Sequence, residues 1–175
     1  MPGRSLYVPP SYMQPSCTHR PWQHRLVLAL TSVGGLGYLP LAPGTWGTLA
    51  ALPLWWAMSD LGLPAFAALT TLAVLGAIAL AGAAERIYGD HDVQHIVLDE
   101  VVGLLCTVLA VPWRPQLILP AFILFRLLDA LKPPPISWID REMPGGAGVV
   151  LDDVAAGLIG CAILHAVRSF NGGWW

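Results

Sequence analysis

An all-α, compact helical membrane protein is the fold class this sequence predicts, and three observations carry the prediction. Only 11% of the 175 residues are charged, against roughly 25% in an average soluble domain, and the mean hydropathy is +0.62. Charge is also absent in blocks: no Asp, Glu, Lys or Arg lies between Arg25 and Asp60, and none between Asp60 and Glu85, a second gap of 24 residues. About 20 residues of helix suffice to cross a bilayer. Finally, tryptophans stand beside segment ends (Trp46, Trp55, Trp56, Trp113, Trp138, Trp174 and Trp175). Interfacial anchoring favours such positions, although ordinary packing explains any single one equally well.

The length fits one domain, with a proline-rich polar tail over residues 1–24, expected to be flexible, and a single unit over 25–170. The tail lacks an early apolar core followed by a small-residue cleavage site, so a removed signal peptide is not expected. Cys17, Cys106 and Cys161 are odd in number and far apart, which suggests neither a disulfide framework nor a zinc site. A net charge of -2 gives no basic footprint for nucleic acid. No obligate protein partner is evident.

Each element follows in order. The run RLVLALTSVGGLGYLPLAPGTWG begins apolar but breaks at Gly34, Gly35, Gly37, Pro40 and Pro43, so it predicts an in-plane or re-entrant segment rather than a crossing. About five apolar helices follow, at 46–59, 64–86, 99–111, 115–131 and 152–168, separated by Gly, Pro or charge. Between the third and fourth, VPWRP (111–115) must interrupt any helix and predicts a hairpin corner. Two antiparallel arms of nearly equal length then return Asp129 to the level of Asp99. At 1.5 Å per residue each arm is only about 20 Å long, shorter than a hydrocarbon core of roughly 30 Å. With one crossing per helix, the loops at 34–48, 87–98 and 132–151 share one side with Arg4, Arg20, Arg25, Arg86, Lys132 and Arg141, while Arg114 and Arg168 lie opposite. The positive-inside bias assigns those loops to the cytoplasm. No internal repeat is visible.

Four stretches carry chemistry. In DHDVQHIVLDEVVG (90–103), Asp99 and Glu100 open an apolar helix. Capping accounts for one acid. Two side by side, with Asp90, His91, Asp92 and His95 just upstream, form the oxygen-rich cluster that a hard cation such as magnesium takes. In FRLLDALKPPPISWIDRE (125–142), Arg126, Asp129 and Lys132 recur at three-residue steps, so Asp129 can pair with either base. Arg126 lies inside an apolar helix, where a charge usually faces a polar cavity, and both bases suit a phosphate. In MPGGAGVVLDDVAAG (143–157), Gly145, Gly146 and Gly148 permit a loop that turns N–H groups toward an anion, with Asp152 and Asp153 at the following helix start. In LAPGTWGTLAALP (41–53), Gly44, Thr45, Gly47 and Thr48 precede a helix whose free N–H groups and hydroxyls would meet a phosphate. Singly, each stretch is also a plain cap, ion pair or bend. Together on one side they point to metal-assisted phosphoryl chemistry at a membrane surface.

The segments LPLAPGTWGTLAALP, IVLDEVVG, FRLLDALKPPPISWIDR and GGAGVVLDDVAAG, in that order, resemble those of the phosphatidylglycerophosphatase A family, bacterial enzymes that remove the terminal phosphate of phosphatidylglycerophosphate. The resemblance covers about residues 22–168; the tail before Trp22 and the extra proline of KPPPI depart from it. It implies a multi-pass or membrane-embedded helical fold, Mg2+ dependence, a phospholipid substrate and a place in phospholipid synthesis at the bacterial cytoplasmic (inner) membrane. Magnesium is then expected on some of Asp99, Glu100, Asp152 and Asp153, with Asp129 a further ligand or general base. Arg126, Lys132, Gly44, Thr45, Thr48, Gly145 and Gly146 are expected to hold the phosphate. Metal-activated water and an aspartyl-phosphate intermediate both remain open. A cysteine nucleophile is not expected, since no Cys sits in a phosphate-cradling loop ending in Arg. The competing reading is a small multi-pass ion or solute transporter using intramembrane acids and Arg, which acids gathered at helix ends and the lack of a repeat disfavour; a catalytically silent scaffold would leave the acidic pairs with no role beyond capping.

Overall fold

The computed structural model describes residues 21–90 and 93–170. The chain ahead of Pro21, with Arg4, Cys17 and Arg20, the pair His91 and Asp92, and the terminal Trp174 and Trp175 lie outside the described residues. Within them the chain is all-helical: α1 (Pro21–Thr31), a 3₁₀ turn (Leu36–Tyr38), α2 (Pro43–Met58), α3 (Leu63–Tyr88), α4 (Leu98–Thr107), α5 (Pro115–Leu131), α6 (Ile136–Glu142) and α7 (Gly145–Phe170).

Local chemistry sets most of these ends. α1 takes in the last residues of the expected tail and stops before Gly34 and Gly35, whose φ values of 70° and 100° no helix continues. α2 starts three residues before the predicted 46 because Pro43 stands at its first turn, where a missing N–H costs nothing. α3 is closed by Gly89 at φ 72°, whose N–H donates to the Glu85 carbonyl. α5 matches its predicted bounds. α4 ends at Thr107 rather than at 111, and the chain turns through Ala110 at φ 59° into the predicted corner.

Two expectations are corrected. α6, a short helix, occupies part of the predicted 132–151 loop. α7 begins at Gly145, not at 152, so the glycines expected to form a loop are its first turn, and Asp152 and Asp153 lie about two turns inside it.

α4 is the centre of the fold. Every residue from Val101 to Thr107 is buried, and α2, α3, α5 and α7 all pack against it. Its crossing with α7 is close because neither side carries a side chain: a Cβ on Gly157 would strike the Gly103 carbonyl oxygen. Phe125 of α5, Leu117, Leu104 and Ile136 of α6 complete the core. Trp55, for which anchoring and packing stood equal in the sequence, is packed and fully buried. Its Nε1 donates to the Val111 carbonyl at 3.0 Å and its ring meets Trp113 edge-on at 4.9 Å, which pins the α4–α5 corner to α2. Trp46, Trp56 and Trp138 are exposed.

Two helices, α3 and α7, are long and apolar enough to cross a membrane, with mean hydropathies of 2.1 and 1.9. At about 15 Å, α4 is too short to do so. In α3 only 17% of the apolar window is buried, and Leu69, Leu72 and Leu75 point away from the protein.

Candidate active site

A cavity of about 450 Å³ opens where the start of α2, the segment before α4, and helices α4, α5 and α7 converge. The three loops predicted to share one side all reach it, through Pro43 and Gly44, through Val93, Gln94 and Ile96, and through Lys132. Asp99, Glu100, Arg126, Asp129, Lys132, Asp152 and Asp153 all line it. The hairpin corner does what its arm lengths predict, bringing Asp129 beside the Asp99–Glu100 pair.

The charges sort into pairs and a remainder. Arg126 Nη1 donates to Asp129 Oδ2 at 2.6 Å and lies 3.9 Å from Glu100 Oε1. Lys132 Nζ donates to Asp152 Oδ2 at 2.7 Å and also to Asp140 of α6. Among the described residues, Asp99 and Asp153 form no ion pair, and Glu100 only shares Arg126 at 3.9 Å. Asp99, Glu100 and Asp153 each place one carboxylate oxygen within 4.8 Å of the others. Glu100 Oε2 and Asp153 Oδ2 are buried and have no hydrogen-bond partner among the described residues. Burial first, then the Glu100 charge, holds the Asp99 carboxyl well above the usual carboxylate range. Burial would lower the Lys132 ammonium, but its bonds to Asp140 and Asp152 outweigh that and raise it, so Lys132 is firmly charged. Buried oxygens without donors, set at this spacing, fit a hard divalent cation.

Gly44 and Gly47 shape this group. A Cβ on Gly44 would overlap Glu100 Oε1 and come within 3.0 Å of Arg126 Nη1, whereas one on Gly47 would strike the Val97 carbonyl oxygen at 2.6 Å and only touch Glu100 Oε2 at 3.4 Å. The bare backbone of α2 is thus a shelf on which the Glu100 carboxylate rests. Gly44 lines the cavity as expected for a site residue, but its nearest neighbour is a carboxylate.

Several predicted residues are placed elsewhere. Thr48 is buried and its hydroxyl donates to the Gly44 carbonyl at 2.8 Å, so it stabilises the first turn of α2. Thr45 does not border the cavity, and its N–H donates to the Ala42 carbonyl. Gly145 and Gly146 border a separate hollow with Glu85, Arg86 and Asp90. A Cβ on Gly146 would strike Gly82 N, so Gly146 lets α7 close on α3, whereas Gly145 takes a φ of 70° at the helix start. His95 is taken up by the fold: its Nδ1 lies 3.0 Å from the Gly37 carbonyl and its ring stacks on Tyr38 at 4.6 Å. Asp152 lies in the cavity but outside the three-acid group, held by Lys132.

One contributor, Asp140, went unnoticed in the sequence. Its position, an acid eight residues after Lys132 across three prolines, was the available signal, but only the fold of α6 shows that it returns.

The family model described as phosphatidylglycerophosphatase A matches residues 29–168. The chain is 38% identical over 140 residues to the phosphatidylglycerophosphatase A of Escherichia coli K12, covering 79% of this chain and 81% of the relative. It is 39% identical over 144 residues to that of Haemophilus influenzae, covering 79% and 87%. A Bacteroides thetaiotaomicron protein provisionally named phosphatidylinositol-3-phosphatase is 36% identical over 143 residues, covering 77% and 88%. No solved structure matches the chain. With the family match spanning α2 to α7 and the four resembling segments meeting in or beside one acid-lined cavity, the chain belongs to the phosphatidylglycerophosphatase A family.

Proposed function

We propose that this protein is a lipid phosphatase that hydrolyses the terminal phosphate of phosphatidylglycerophosphate, giving phosphatidylglycerol and inorganic phosphate, with magnesium as its cofactor. The family assignment gives the reaction. The observation that carries the mechanism is the triad Asp99, Glu100 and Asp153, whose oxygens converge while two of them lack a donor among the described residues. These three would hold the cation. When bound it supplies positive charge to phosphoryl oxygens in a cavity otherwise dominated by acids.

The protein's own groups do the rest. Arg126 offers a planar fork to the phosphate, with Asp129 at 2.6 Å fixing its direction. Lys132 stands at the rim as a point charge, steadied by Asp152. In the net reaction the P–O bond to glycerol breaks, a P–O bond to the oxygen of water forms, and the departing alkoxide takes up a proton. The polar cavity orients the ester relative to these groups.

The site lies at the lipid boundary in this reading, with α3 and α7 crossing the bacterial cytoplasmic membrane. Support comes from the outward apolar faces of α3, of α5 (Leu119, Ile123, Leu127) and of α7 (Leu158, Ile163). Arg25, Arg86, Lys132 and Arg141 fall toward the cavity end, and Arg114 and Arg168 at the other, which supports a multi-pass arrangement with the cavity facing the cytoplasm. The unit over 25–170 acts as one domain.

Phosphate release from phosphatidylglycerophosphate in mixed micelles, with magnesium and with EDTA, tests the proposal. Release in magnesium that stops in EDTA is expected. No release in magnesium refutes the enzyme reading, and undiminished release in EDTA refutes the cation. Phosphatidylinositol 3-phosphate run in parallel tests the headgroup.

A further inference from the structure

The turn from α5 to α6 brings to Lys132 a second carboxylate, that of Asp140, which the reaction described above does not use. Lys132 ends α5 in the left-handed region, at φ 41°, a conformation that residues with side chains seldom adopt. Pro133, Pro134 and Pro135 then lead into α6, which brings Asp140 back over Lys132. The ammonium is bracketed: Asp140 Oδ1 accepts from it on the α6 side and Asp152 Oδ2 on the α7 side. Asp140 is exposed and does not line the cavity, whereas Lys132 does.

We propose that Asp140 is a positioning residue for the reaction, acting through Lys132: it holds the ammonium at the cavity rim so that one N–H is aimed at the substrate phosphate. The inference rests on the reading of Lys132 as a phosphate-binding group. An ammonium has three donors. Two are engaged by Asp140 and Asp152, which leaves one for a phosphate oxygen and fixes its direction. Lysine otherwise swings on a flexible four-carbon stem and binds phosphate without a preferred geometry. Two carboxylates from different helices supply the orientation that arginine has built in.

A merely structural account would have Asp140 dock α6 to the protein. That task already has a holder, because Ile136, at the first position of α6, is fully buried in the core. Arg141, the neighbouring charge, bonds within α6 through its Nε to the Ser137 carbonyl at 2.9 Å. Asp140 is the α6 side chain that reaches the site's own lysine.

The test is a double-mutant cycle on the full chain, measuring kcat and KM for phosphatidylglycerophosphate in magnesium together with Tm. The variants are Asp140→Asn, Asp140→Glu, Lys132→Met and Asp140→Asn with Lys132→Met. Loss of one charge-assisted bond to the gripping lysine should raise KM about tenfold in Asp140→Asn with kcat within about twofold. Asp140→Glu should recover much of this loss, and Asp140→Asn should add nothing once Lys132 is Met. An unchanged KM in Asp140→Asn overturns the inference. So does a KM increment that persists in the Lys132→Met background, since Asp140 would then act through the fold. A wild-type KM in Lys132→Met alone refutes instead the phosphate-binding role of Lys132, and the two failures are thereby separable.

Discussion

Asp153→Asn separates a cation site from a structural hydrogen-bond site, because the two predict opposite signs for stability. In the present structure Asp153 brings a carboxylate within 4.8 Å of oxygens of Asp99 and Glu100 and leaves Oδ2 buried without a donor. At an effective dielectric constant near 20, two unit charges 4.8 Å apart repel by about 3.5 kcal/mol, and closer ones by more. Replacing one acid by an isosteric amide removes that repulsion for each ionised neighbour and adds an N–H that an acceptor can use. In EDTA the variant should therefore melt no lower than wild type. A domain of this size moves by about 2–4 °C for each kcal/mol. Magnesium should do the reverse. A cation at about 100 times its dissociation constant stabilises the native state by about 2.7 kcal/mol, a gain that wild type should show and the variant should largely lose. Turnover should fall by at least about a hundredfold, since even indirect supports of metal sites cost 10- to 100-fold. The assay is tryptophan-monitored melting in detergent, with magnesium and with EDTA, beside phosphate release. A variant that melts several degrees below wild type in EDTA, yet keeps the magnesium shift, would show that Asp153 is a structural residue and that the triad is wrongly assigned.

Three further outcomes follow from the same geometry. Gly44→Ala places a methyl group on Glu100 Oε1 and Arg126 Nη1; a displacement of order 1 Å at such groups costs about a hundredfold in turnover, with Tm nearly unchanged, and wild-type turnover would remove Glu100 from its shelf on α2. The Asp99 carboxyl is raised from its ordinary 3.8 by burial and then by Glu100, so in EDTA it contributes stability below that pH which is lost as pH rises toward its native value. Melting in EDTA should fall as pH climbs from about 4 toward neutrality, while the magnesium-induced gain grows, because the ligands must lose their protons; a Tm in EDTA that rises over this range would contradict it. Trp55→Phe deletes the bond to the Val111 carbonyl and leaves that acceptor buried, at a cost of about 1–3 kcal/mol, which lowers Tm with KM unchanged; an unchanged Tm would mean the corner is not held there.

How much of this was legible in the sequence depended on what set each feature. The corner at 111–115 was readable because proline forbids the helix from continuing, and with it came the meeting of Asp129 with Asp99 and Glu100. The start of α7 was not, because glycine at 145–148 signals a bend when only its local preferences are considered. Here its use is tertiary: without side chains at Gly146 and Gly148, α7 can close on Gly82 of α3 and on the Met143 carbonyl, and that packing overrides a weak intrinsic dislike of helix. α6 was missed for a related reason, since three prolines mask a short helix whose reason to exist, the burial of Ile136, lies in a distant core. The acids themselves were found by type and adjacency, but which partner each would take was not, because adjacency does not state direction.

Direction explains why an acidic dipeptide serves two kinds of chemistry. Successive residues on an α-helix point about 100° apart, so Asp152 and Asp153, two turns inside α7, cannot both face the same ion at close range. Asp153 turns toward Asp99 and Glu100, and Asp152 toward Lys132. In the proposed reading, one pair of neighbours thus supplies a ligand to the cation side of the cavity and an anchor to the phosphate side, and the rigidity of a single helix fixes the distance between the two. Asp99 and Glu100 meet the same constraint and escape it differently. Glu100 carries one more methylene, and the shelf at Gly44 and Gly47 gives its carboxylate somewhere to lie, so it reaches round the helix to join Asp99. Exchanging the lengths, with Asp99→Glu and Glu100→Asp together, keeps every charge and should still abolish the magnesium-dependent rise in Tm, since the shorter side chain can no longer reach the shelf. A double variant with the full magnesium shift would show that charge alone, and not reach, builds this site.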